Sequence, residues 1–193
     1  KISGKIRVQG AGKFSKIKTL DGVERNLNKN DLLIADDKNA LAIAGTMGGL
    51  DSEVTAETKR ITIEAAHFSA LAVAKNSRHH ILSSEASRRF ERGVDPALAE
   101  IASARAAQLL IELTGAQYVG VESDGAMKST PTIPLIPANI ATLIGYGYTD
   151  AQVAAALESV GCLVNQSSKS STWAITPPTW RPDLQNTADL AEE

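Results

Sequence analysis

The chain carries four groups of side chains whose types and spacing suit chemistry. Glu64 sits in the run Ile61-Thr62-Ile63-Glu64-Ala65-Ala66, where a carboxylate among apolar neighbours is costly to bury without a partner. It reads either as an edge position facing solvent beside Thr62, or as an acceptor in a pocket. The turn Ala44-Gly45-Thr46-Met47-Gly48-Gly49 has three residues of six without a β-carbon, so its backbone can be approached closely. No Gly-Lys-Ser/Thr follows it, which excludes a P-loop and leaves a close-approach site or a plain strand-ending turn.

Arg78-His79-His80 and Arg88-Arg89-Phe90-Glu91-Arg92 gather basic groups around one aromatic ring. They suit phosphate contact, or else a solvated helical face with the arginines paired to Glu85, Glu91 and Asp95. His79 and His80 are not expected to bind a metal, because neighbours on a helix diverge and the sequence offers no third ligand. The last group is acidic. On a helix starting near Asn186, Asp189 shares a face with Glu192 and Glu193, and Asp183 precedes it after Pro177-Pro178. An all-oxygen set suits Mg2+; the alternative is acids favoured by the helix dipole.

These groups need elements to hold them. Short apolar runs at Ile6 to Val8, Leu32 to Ala35, Ala40 to Ala44 and Arg60 to Ala65 predict strands, separated by turns such as Asp21-Gly22 and Gly48-Gly49. A helix is predicted from Pro96 to Leu113, with Leu98, Ile101, Ala102, Leu109 and Leu113 on one apolar face, Asp95 as cap and Gly115 as stop. Pro131, Pro134 and Pro137 mark an extended connection. Beyond it, Thr149 and Gln152 form a capping box for a helix burying Val153, Leu157 and Val160 and ending at Gly161. Strands at Cys162 to Val164 and Thr172 to Thr176, joined by the loop Gln166 to Ser171, complete a winged-helix-like order. The expected fold is α+β: a mixed domain over residues 1–126, then a small winged-helix-like domain over 127–193.

With 193 residues, 20 basic and 22 acidic groups and 43% apolar residues, the chain can bury sizeable cores. Up to Gly125 there are 17 basic and 16 acidic residues, and 3 and 6 beyond it. This balance weighs against a DNA-binding module, and no apolar run is long enough for a membrane span. The single Cys162 excludes an internal disulfide and a cysteine-built zinc site. The chain lacks an initial Met and stops at Asp189-Leu190-Ala191-Glu192-Glu193, so it is expected to be a piece of something longer.

Several strings, taken in order, form one pattern: Leu20-Asp21-Gly22, Leu33-Ile34-Ala35-Asp36, Leu41 to Gly49, Ile63-Glu64-Ala65-Ala66, and above all Glu85-Ala86-Ser87-Arg88-Arg89-Phe90-Glu91-Arg92-Gly93-Val94-Asp95-Pro96. They resemble the editing domain of bacterial phenylalanyl-tRNA synthetase β subunits. Pro178-Thr179-Trp180-Arg181-Pro182-Asp183 and the acidic tail are similar to the small domain that follows it. The resemblance implies a cytoplasmic heterotetramer of two α and two β subunits that charges tRNA-Phe with phenylalanine using ATP and Mg2+. The ligation chemistry and ATP lie elsewhere, while this segment hydrolyses tyrosine wrongly attached to the tRNA.

By family position, Glu64 accepts the tyrosyl hydroxyl and Gly48 assists through its backbone. Ala44 and Ala86 shape the ring pocket, Ser84 contacts substrate, and Asp183, Asp189, Glu192 and Glu193 bind Mg2+ in a site shared with the α subunit. Ser84 stands where the family commonly has threonine, and Ile81 where a smaller residue is common. No Ser-His-Asp or metal-water set is evident, so no catalytic base is assigned and positioning of water and substrate is the expected mechanism. Since further pocket residues of the family lie upstream, the segment alone is expected to have little deacylase activity. The rivals are a free-standing aminoacyl-tRNA deacylase and a non-catalytic nucleic-acid or assembly module.

Overall fold

The computed structural model describes residues 2–125, 129–166 and 170–193. It divides into two units, one of residues 1–94 and 99–116, the other of 95–98 and 117–193. The expected boundary at 126/127 lies outside the described residues.

The first unit is built on a four-stranded antiparallel sheet. Its strands are β1 (Arg7–Gly10), β4 (Leu32–Ala35), β5 (Ala40–Ile43) and β6 (Met47–Gly48), in that spatial order. Between the first two in sequence, β2 (Lys16–Lys18) and β3 (Glu24–Asn26) form a hairpin around Asp21-Gly22. β4 is apolar at every position because both its faces are covered. Leu33 packs with Ala11, Ile17 and Ile43 on one side, and Ile34 with Ala44, Phe68 and Val73 on the other.

Three helices follow: α1 (Ala70–His79), α2 (Glu85–Arg92) and α3 (Leu98–Thr114). Ser69 caps the first through its side chain, and Ser84 with Ser87 forms a capping box for the second. One buried side chain ties α1 to the sheet. Asn76, 1% exposed, accepts from the Leu32 N–H at 3.0 Å and donates to the Leu32 carbonyl at 2.9 Å, a carbonyl that also accepts from the Ala44 N–H at 3.0 Å.

One expected strand fails here, and one expected helix forms with its apolar face uncovered. Arg60 to Ala65 form no strand, and Ile61 and Ile63 are 47% and 40% exposed. A β-branched run becomes a strand only when a neighbour supplies the ladder, and among the described residues none pairs with it. The helix α3 forms with Asp95 accepting from the Ala97 N–H at 2.9 Å and Gly115 at its end, but Leu98, Ile101, Ala102, Leu109 and Leu113 are all exposed. Periodicity and caps suffice to wind a helix; burial of its stripe needs a second surface, which the described residues do not supply.

The second unit has β7 (Ile133–Leu135), α4 (Pro137–Ile144), α5 (Asp150–Ser159), β8 (Leu163–Asn165), β9 (Trp173–Thr176) and α6 (Thr187–Glu192). Its antiparallel sheet has the order β7-β9-β8. The Thr149-Gln152 capping box forms, Val153 and Leu157 are buried, and Val160 packs at the margin of the same core. That core includes Leu135, Trp173, Ile175, Leu190 and Cys162, whose thiol burial pushes its pKa up. The whole chain is thus α+β. No helix among the described residues is long and apolar enough to cross a membrane.

Candidate functional site

The glycine turn leaves β5 at Ala44, which is fully buried against Ile34, Phe68 and Val73. Gly45 has φ +64°, and a β-carbon there would lie 2.8 Å from Val73 Cγ2 and 3.2 Å from Phe68 and Phe90 ring carbons. Only glycine satisfies both the left-handed backbone and the space. The chain then turns through Thr46 into β6, where Gly48 pairs with Ala42 and its carbonyl accepts from the Leu20 N–H at 3.0 Å.

Ser84 meets this turn. Its hydroxyl donates to the Thr46 carbonyl at 2.7 Å and accepts from the Ser87 N–H at 3.0 Å, fixing the start of α2 beside the turn. The structure therefore brings Ser84 to the turn that carries Ala44 and Gly48, through Thr46, which the sequence reading had not singled out. Ala86 lies in the first turn of α2 and is exposed.

Glu64 stands apart from these ties. It lies on the irregular segment before α1, is exposed, and makes no hydrogen bond or ion pair with the described residues. Neighbouring protein still withdraws enough water from its carboxyl to raise its pKa above the ordinary glutamate value. No strand forms around it; of its two readings the solvent-facing one matches its exposure, on a loop in place of a strand edge.

The basic residues on α2 are solvated. Arg88 pairs with Glu85 at 3.0 Å, while Arg89 and Arg92 make no ion pair with the described residues. The two histidines behave differently from expectation. His79 is the last residue of α1 and His80 turns off it at φ −91°, ψ 2°, so adjacent rings reach one carboxylate. His79 Nδ1 lies 3.0 Å from Asp31 Oδ1, and His80 Nε2 lies 2.9 Å from Asp31 Oδ2. Asp31 is the third ligand-type group that the sequence, where it lies 48 positions before His79, did not reveal. Burial of the His80 ring lowers its pKa, with Asp31 opposing the shift.

In the second unit the four acids do not converge. Arg181 binds Asp183 through Nε and a terminal nitrogen, at 3.0 and 2.6 Å, and also bonds Glu193. This pairing holds the Asp183 carboxyl below its usual range and raises the Arg181 guanidinium. Asp189 accepts from the Gln185 and Asn186 N–H groups at 2.8 and 3.0 Å, closing a capping box with Asn186. Glu192 is exposed. Two carboxylates neutralised by one cation and a third engaged in a cap do not make an octahedral oxygen set, so this arrangement does not fit Mg2+.

A family model of the B3/4 domain matches residues 1–115, and one of the tRNA synthetase B5 domain matches residues 133–193. The chain is 45% identical to the phenylalanine-tRNA ligase beta subunit of Corynebacterium glutamicum, 44% to that of Leifsonia xyli subsp. xyli and 43% to that of Thermobifida fusca. Each match covers 100% of this chain and 23% of the relative, so the chain spans about a quarter of the length of these curated proteins. The chain belongs to the B3/4 domain family, carries a tRNA synthetase B5 domain after it, and in both is a relative of phenylalanine-tRNA ligase beta subunits.

Proposed function

We propose that this chain is the part of a phenylalanine-tRNA ligase beta subunit that clears tyrosine wrongly attached to tRNA-Phe. In this reading Glu64, Gly48, Ser84 and Ala86 face the mischarged ester, and the buried Ala44 shapes the ring pocket from behind the turn. The observation that carries it is the Glu64 carboxyl on the segment before α1, which has no polar partner among the described residues, with partial desolvation raising its pKa as support. A tyrosyl hydroxyl donates to that carboxylate. A phenylalanyl ring leaves it unpaired, and sites built to bond a hydroxyl reject the analogue lacking it by ~10⁴ to 10⁵. A purely apolar ligation pocket rejects an added hydroxyl by only on the order of 10², so a second sieve is required.

The chemistry is ester hydrolysis. Water adds to the acyl carbon, the bond to the ribose oxygen breaks, that oxygen regains a proton, and tyrosine leaves as the carboxylate. The Ser84-Thr46 tie keeps the first turn of α2 beside the glycine turn, which supports a role in holding the ester while water attacks. The alpha subunit, tRNA-Phe and cytoplasmic location belong to the same proposal. Magnesium and ATP serve the whole ligase, and no step above uses them.

Glu64→Ala in the intact ligase tests this. Release of mischarged tyrosine is expected to fall by at least about 100-fold, the scale of one lost polar discrimination, with phenylalanine attachment retained. Equal retention of both activities overturns the assignment.

A further inference from the structure

Asp31, His79 and His80 all lie in the first unit, outside the turn and helix of the proposed ester site. Their ligand atoms, one from each residue, fall within 4.8 Å of one another. Asp31 is 4% exposed and firmly held. The Asn28 N–H donates to its Oδ2 at 2.7 Å, its own N–H donates to the Asn28 carbonyl at 2.9 Å, and its carbonyl accepts from Ala11 at 2.9 Å. The His80 side chain is 3% exposed, and the His80 N–H donates to the Asn76 carbonyl at 3.0 Å. The His79 side chain is 43% exposed.

We propose that Asp31, His79 and His80 bind one Zn2+ ion, with a coordination position left open to water beside the half-exposed His79 ring. Two imidazole nitrogens and one carboxylate oxygen are a borderline donor set. Hard Mg2+ and Ca2+ prefer all-oxygen cages and Cu(I) prefers sulfur, whereas three nitrogen or oxygen ligands plus water suit zinc. Tetrahedral zinc with bonds near 2.0–2.2 Å holds its ligand atoms about 3.3–3.5 Å apart. The observed 3.0 and 2.9 Å separations from Asp31 need to open by only a few tenths of an ångström.

Without metal, both rings hold Asp31, His79 through Nδ1 and His80 through Nε2. On binding, each of these nitrogens presents its lone pair to the ion, and any ring proton sits on the other nitrogen. Oδ2 retains its bond from Asn28, which aims the carboxylate. Arg25 is the cation that acts against the site; its bond to Asp21 at 2.8 Å offsets that repulsion. A bound ion would join the end of α1 to the loop before β4, alongside the Asn76 bridge.

The intact protein, stripped by a chelator, is titrated with Co2+ and then Zn2+ at neutral pH. One Co2+ per chain is expected, with visible ligand-field absorption that one equivalent of Zn2+ abolishes, and with a higher melting temperature in Zn2+. His79→Ala and Asp31→Asn are each expected to weaken Zn2+ binding at least ~100-fold, beyond the roughly 10–100-fold cost of losing a group behind the ligands. His67→Ala, at an exposed histidine outside the cluster, leaves binding unchanged. If Asp31→Asn does not fold, His79→Ala decides, because its ring is half in solvent. Equal Zn2+ affinity in His79→Ala and the unaltered protein, or no saturable Co2+ binding, overturns the site and leaves a hydrogen-bonded tie.

Discussion

Glu64 connects the proposed chemistry to a pH dependence whose sign follows from its environment. Desolvation raises its folded pKa, so the native state binds its proton more readily than the unfolded chain does. Stability from this group is therefore present at acid pH and lost as pH rises through the raised value. Accepting a phenol works best with the ionised carboxylate, so tyrosine release should rise over the same interval. Glu64→Gln is expected to flatten both curves while raising the melting temperature at neutral pH, read by paired thermal and deacylation profiles. Asp21 has the opposite sign. The Thr19 hydroxyl and Arg25 lower its pKa to about 2, so its contribution is full above the ordinary carboxylate range and disappears as pH falls toward that value. Asp21→Asn should lower the melting temperature at neutral pH and have little effect near that lower limit. Glu64 was recognisable from a carboxylate amid isoleucines, with its exposure one of two readings; the loop in place of a strand was not, because the pattern Ile-Thr-Ile carries no information on whether a partner strand is near.

At the scale of elements, the joint between α1 and the sheet depends on one amide. Asn76→Ala leaves both polar groups of Leu32 without that partner, and a cost of about 2–3 kcal/mol is expected in urea unfolding. Gly45→Ala combines a left-handed backbone with a 2.8 Å approach to Val73, and about 1–3 kcal/mol of destabilisation is expected. Ser84→Ala removes both the cap of α2 and its bond to Thr46; about 0.5–2 kcal/mol is expected from the cap, together with slower tyrosine release. Local chemistry made these elements legible. Thr149, Asp95 and the glycine stops are short-range signals, and β4 was readable as a continuous apolar run, whereas the Ser84 cap of α2 came only from the structure. The convergence of Asp31 on His79 and His80 and the amide of Asn76 on Leu32 were not, because each joins residues more than forty positions apart and depends on the direction in which a helix ends.

Across the whole molecule, three buried clusters among the described residues carry the fold, two on the faces of β4 and one in the second unit, and the family assignment rests on the order of strings along both units rather than on any one site. Helix α3 illustrates the limit of pattern reading: its stripe is apolar at the right spacing, yet Ile101 and Leu113 are 67% and 79% exposed. Substituting Ile101→Lys is expected to change the stability of this chain by no more than about 0.5 kcal/mol, as for other surface positions, whereas Leu157→Ala should cost about 2–5 kcal/mol. Chemical denaturation of the two variants checks the contrast. The second unit also contains its own reporter. Cys162 is 4% exposed and is the sole thiol of the chain, so an alkylating reagent can reach it only when the surrounding packing parts. The rate of thioether formation, followed by mass spectrometry at low reagent excess, thus serves as an intrinsic stopwatch for transient opening of that half, with no label or engineered cysteine required.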